Sequence, residues 1–136
     1  MEILVIDGQG GGVGRSLVEE LKKRYPDHKV IAVGTNSAAT ANMLRGGYAD
    51  AAATGENAVV FNSSRADVIV GPAGIVMANA MYGEITPKMS EAISSSPAEL
   101  VLIPMNHCRA TIIGVAEKRL SEYISDAVTF IGGIKP

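Results

Sequence analysis

Five of the seven residues from Gly8 to Gly14 are glycine, and they fall between a continuous apolar run, Ile3 to Ile6, and an amphipathic segment with Val13, Leu17, Val18, Leu21 and Tyr25 on one face. A buried strand that turns through glycine into a helix is the opening of a βαβ unit, so this feature alone points to a parallel α/β sheet. The glycines permit positive φ and a close approach of ligand to backbone. The free N–H groups and the positive end of the following helix favour an anion such as a pyrophosphate. A tight strand-to-helix turn can be built with one or two glycines, so five imply a phosphate site, Gly8, Gln9, Gly10, Gly11, Gly12, Val13, Gly14 and Arg15.

The rest of the chain repeats the alternation. Lys29 to Val33 reads as a second strand closed by Gly34, and Thr35, Asn36 or Ser37 can cap a short Ala-rich helix that stops at Gly46-Gly47. Ala49 to Ala53 reads as a third strand, Glu56 to Ser64 as a helix and Asp67 to Val70 as a fourth strand, broken by Gly71, Pro72, Ala73 and Gly74. Ile75 to Met81 and Pro87 to Ser94 look helical, Leu100 to Ile103 is a fifth strand and Thr111 to Val115 a sixth. Leu120, Tyr123, Ile124, Ala127, Val128 and Ile131 keep helical period before Gly132-Gly133. The expectation is a single Rossmann-like domain over residues 1–136, a mostly parallel sheet of five to six strands with helices on both faces, in three layers.

Three spacings compete over the turn. The strict G-x-G-x-x-G pattern fails, because Val13 stands where a start at Gly8 requires glycine. A P-loop reading of Val13-Gly14-Arg15-Ser16 lacks its first glycine, replaced by Gln9, and its lysine, replaced by Arg15. The spacing G-x-x-x-G-x-G fits Gly8, Gly12 and Gly14, and in this the chain resembles the short-chain dehydrogenases/reductases, which implies a nicotinamide dinucleotide cofactor. Val68 to Gly74 is similar to the fourth strand of those enzymes and its Asn-Asn-Ala-Gly end, with Gly71 and Pro72 replacing both asparagines. Their Tyr-x-x-x-Lys is matched only by Tyr25 and Lys29, which lie before the second strand, so the resemblance carries cofactor binding and not the usual chemistry. The opening Ile-Asp-Gly-Gln-Gly-Gly-Gly-Val-Gly also resembles a family of small, functionally uncharacterised bacterial and archaeal proteins, which implies a cytoplasmic prokaryotic protein.

The choice of dinucleotide turns on the end of the second strand. NAD-selective folds place an acid there for the ribose 2′-hydroxyl, whereas this chain has Gly34, Thr35, Asn36 and Ser37. With no carboxylate at that point, and with Arg15 as a further donor, the expected cofactor is NADP(H) before NAD(H). Candidates for chemistry follow the fifth strand: Asn106 as an amide donor, His107 as an acid or base, and Cys108 as a thiolate. Asp7, at the tip of the first strand, is expected to accept turn N–H bonds.

Composition narrows the alternatives. A net charge of -2 gives no general attraction to nucleic acid. Apolar stretches are too short and too Gly-broken to span a membrane. Two histidines and one cysteine form no spaced metal cluster. Lys22-Lys23-Arg24 reads as the solvated face of the first helix and the six methionines as core filler. Three readings remain: a small oxidoreductase, a non-catalytic nucleotide sensor or subunit of a larger complex, and an NTP-binding P-loop-like protein. A homodimer would close the crevice.

Overall fold

The computed structural model describes residues 1–105 and 110–135. Its sheet has five parallel strands, β1 (Glu2–Asp7), β2 (Lys29–Gly34), β3 (Ala51–Thr54), β4 (Val68–Pro72) and β5 (Glu99–Ile103), in the order β3-β2-β1-β4-β5. This matches the first five strands of the dinucleotide-binding order, which reverses direction between β1 and β4. The chain is therefore a three-layer, Rossmann-like α/β fold.

Strand composition explains the layers. Every residue of Ile3 to Ile6 is fully buried, because alternate side chains enter opposite cores. Ile3 and Val5 join Val30, Ala32, Val68 and Val70 beneath α1 (Gly12–Arg24), α2 (Ser37–Leu44) and α5 (Leu120–Gly132), which supply Leu17, Leu21, Met43, Val128 and Ile131. Leu4 and Ile6 join Val33 and Ile69 on the other face, under α3 (Glu56–Ser63) and α4 (Pro87–Ser94), with Val59, Met89 and Ile93. A fully buried Ile or Leu contributes about 1.5–3 kcal/mol, so these two clusters dominate the stability.

Local signals end the elements. Asn36 caps α2, accepting from the Ala39 N–H at 2.8 Å, and Thr86 caps α4, accepting from Met89 at 3.1 Å, with Pro87 in the first turn. Two i,i+4 ion pairs form on α1, Lys23–Glu19 at 2.7 Å and Arg24–Glu20 at 4.0 Å.

Three expectations are corrected. Thr111 to Val115 is not a strand: it runs through a turn with Gly114 at φ 89°, leaving Ile113 90% exposed. β-Branched residues favour strand only where a neighbouring strand or core receives them, and none does here. Ile75 to Met81 is not a helix either. A short 3-10 turn, Ala73–Val76, gives way to a loop in which Asn79, Met81 and Tyr82 take positive φ of 66°, 58° and 57°. Lys22, read as solvated, is instead a hub: its ammonium donates to Pro26 O at 3.1 Å, His28 O at 2.9 Å and Asp50 Oδ2 at 2.9 Å.

Candidate functional site

The glycine turn lies at the carboxyl end of β1, beside the point where strand order reverses. Its internal geometry separates the glycines. A Cβ at Gly8 would stand 2.6 Å from Met81 Sδ and 2.7 Å from Thr35 Oγ1. At Gly11, where φ is 72°, it would meet the Ala39 carbonyl at 2.6 Å, and at Gly14 it would meet Met43 Sδ and Asp7 Cβ. The side chains of Met81 and Thr35 closing over the turn explain Gly8, and close packing of α1 on β1 and α2 explains Gly11 and Gly14. A Cβ at Gly10 or Gly12 would meet nothing within 4 Å, and neither residue has positive φ.

The same two residues hold the open backbone donors. Asn36 Nδ2 donates to the Gln9 carbonyl at 3.0 Å, and Asn42 Nδ2 to the Gly10 carbonyl at 2.9 Å, drawing both carbonyls toward α2. In a planar trans peptide the following N–H points the opposite way, so the Gly10 N–H faces outward. The Gly11 N–H turns back to Gly8 O at 3.0 Å. Among the described residues, the Gly10 and Gly12 N–H groups have no hydrogen-bond acceptor. They lie at the N-terminal end of α1, where the helix dipole adds partial positive charge.

Two carboxylates moderate that charge. Asp7 reaches into the turn, accepting from Gly8 N–H at 2.8 Å through Oδ1 and from Gly14 N–H at 2.7 Å through Oδ2, as expected of it. Burial pushes its carboxyl above the ordinary value, and nearby Glu84 adds to this, against the lowering effect of the Gly14, Gly8 and Val13 hydrogen bonds.

Glu84 comes from the loop after β4 and crosses over β1 to the end of β2. Its Oε1 accepts from Gln9 N–H at 2.8 Å, Thr35 Oγ1 at 2.7 Å and Asn36 Nδ2 at 2.7 Å. Partial burial pushes this carboxyl up, but the three hydrogen bonds outweigh it and hold the group below its ordinary value. The Oε2 atom has no partner among the described residues.

This corrects the expectation of no carboxylate at the end of β2. The acid is supplied from another element, and it takes the Thr35 and Asn36 donors assigned to a 2′-phosphate. Arg15 does not join them; its guanidinium lies 3.4 Å from Asn42 Oδ1. Gly34 is spent on contact with Thr40, and Ser37 begins α2. Gly71 lets β4 approach the Ile6 carbonyl, Pro72 ends the strand, and Ala73 and Gly74 are buried in the 3-10 turn.

Sequence reading missed Glu84, Met81 and Asn42. One signal was available for the first: Glu84 is the only charged residue between Asp67 and Lys88. Asn106, His107 and Cys108 lie outside the described residues. No group of three potential metal ligands occurs among the described residues, and none of their helices is long and apolar enough to cross a membrane.

A family model described as "Domain of unknown function (DUF3842)" matches residues 2–134, so the chain belongs to that family. No curated protein matches it. Among solved structures, it is similar to a dodecameric FMN-dependent UbiX-like decarboxylase from Escherichia coli O157:H7, at 17% identity and a TM-score of 0.49, over 97% of this chain and 76% of that one.

Proposed function

We propose that this member of the DUF3842 family binds a nicotinamide adenine dinucleotide on the crest formed by the Gly8 to Gly14 turn and the end of β2. The pyrophosphate would lie on the Gly10 and Gly12 N–H groups at the head of α1, and the adenosine ribose beside Thr35, Asn36 and Glu84. The observation that carries this reading is the state of Gly10 and Gly12. They have no packing or φ reason to be glycine, yet they present open donors at a helix N-terminus. A surface that a Cβ would not obstruct internally, but would obstruct for a ligand, accounts for both residues. The strand order supports the dinucleotide over a P-loop nucleotide. Asp7 works against a strongly anionic ligand, so modest affinity is expected. The proposal is one of binding, common to an oxidoreductase and to a non-catalytic sensor.

Calorimetric titration with NADH, NADPH, ATP and FMN, on the wild type and Gly12→Asp, tests it. An acid in the first helical turn is compatible with folding, so loss of dinucleotide binding in a variant of unchanged melting temperature supports the site. Binding of ATP alone would replace the proposal with a triphosphate site, and binding of FMN alone with a mononucleotide flavin site. No binding by any of the four ligands would overturn the proposal.

A further inference from the structure

We propose that Glu84 is the specificity residue of this site, reading a free ribose diol through Oε2 and rejecting a 2′-phosphate, so that the ligand is NAD(H) and not NADP(H). The inference rests on the dinucleotide reading above and narrows it.

Three observations converge on this carboxylate. Its Oε1 is held by three donors from two separate loops, Gln9 N–H, Thr35 Oγ1 and Asn36 Nδ2. A carboxylate gripped on one oxygen has few rotamers left and presents the other as a fixed acceptor. The grip also places it at the carboxyl end of β2, where a ribose in this strand order would lie. Finally, of the polar side chains at that point that could donate to a phosphate, Thr35, Asn36 and Ser37, the first two already donate to Glu84. A dianionic 2′-phosphate would meet a negative charge and no free donor from Thr35 or Asn36. A hydroxyl would meet an acceptor.

The loop that delivers Glu84 is shaped for this contact. Asn79, Met81 and Tyr82 take left-handed backbone conformations that non-glycine residues rarely adopt, and the chain closes on itself through Asn79 N–H to Ile85 O at 2.7 Å. Met81 then lies over Gly8 while Glu84 reaches Thr35. Backbone strain of this kind persists where the surroundings hold it, here through the Glu84 hydrogen bonds.

The test compares NADH, NADPH and 2′-deoxy-NADH on the wild type, Glu84→Gln and Glu84→Ala, with melting temperatures recorded for each protein. A hydrogen bond to a charged group corresponds to roughly tenfold or more in affinity. The wild type is expected to bind NADH at least about tenfold more tightly than NADPH or 2′-deoxy-NADH. In Glu84→Gln, which keeps the side-chain shape, the NADH preference should fall to within about threefold, and removal of the 2′-hydroxyl should have little further effect. A purely structural role would weaken all three ligands together and leave their ratios unchanged, which overturns the inference. Wild-type preference for NADPH also overturns it. If neither dinucleotide binds the wild type, the binding reading itself falls; if both bind with ratios insensitive to residue 84, only the specificity role does.

Discussion

Asp7 closes the glycine turn from within, its Oδ2 accepting the Gly14 N–H at 2.7 Å while Oδ1 accepts that of Gly8 at 2.8 Å. Strand and helix are thereby tied by one side chain. Because burial raises the Asp7 pKa, the native state favours the protonated carboxyl more than the unfolded chain does. Its titration contributes stability that is complete below the ordinary value of 3.8 and is lost as pH rises through the raised one. Relative to Asp7→Asn, which does not titrate at this position, the wild type should lose stability across that window. Denaturant melts of both proteins from pH 3 to 8 measure this, and a flat difference would show that Asp7 is not perturbed.

The sign is opposite for Glu84. Its carboxyl is held below the ordinary 4.5 by hydrogen bonds that outweigh its burial, so its contribution is present above 4.5 and lost as pH falls through the lowered value. The Gln9 amide, which donates to it, should exchange with solvent faster in Glu84→Ala than in the wild type at neutral pH. Equal exchange in the two proteins would mean that the contact does not persist in solution.

The glycines should divide by substitution. Gly10→Ala and Gly12→Ala are expected to change stability by no more than about 0.5 kcal/mol, since their Cβ atoms enter open space. Gly11→Ala combines positive φ with a contact at 2.6 Å on the α2 backbone, and Gly14→Ala overpacks Met43 and Asp7, so each should cost about 1–3 kcal/mol. Equilibrium unfolding of the four variants decides it.

Lys22→Met should cost about 1–3 kcal/mol, because it leaves the Pro26 and His28 carbonyls and the Asp50 carboxylate without their shared donor. Asp50 also accepts the Val30 N–H at 2.8 Å, so the effect should extend to the start of β2 and be visible as faster amide exchange there.

Where a segment's own pattern decided its state, the sequence was readable. Ile3 to Ile6, Lys29 to Val33, Pro87 to Ser94 and Leu120 to Ile131 carry their period or apolar run within themselves and form the expected elements. Ile75 to Met81 has helix-compatible residues but is shaped by Met81 over Gly8 and Glu84 on Thr35, contacts between segments far apart in the chain. Thr111 to Val115 has strand residues and no strand beside it. The strand-to-helix turn between β1 and α1 could be located from its glycines. The acid at the end of β2 could not, because spacing rules look for it about 20 residues beyond the turn, and here 75 residues separate it from Gln9.

The position of β1 also bears on how the chain assembles. The first strand in sequence is the middle of the sheet, paired to β2 on one side and to β4 on the other. Until β4 has been synthesised, Ile3, Leu4 and Val5 have an unpaired ladder edge and an incomplete core. Such non-local parallel pairing is slow to form and open to wrong partners while it waits. The nascent chain must keep β1 from aggregating until β4 emerges, so shielding of that strand by the early β1-α1-β2 unit should influence yield.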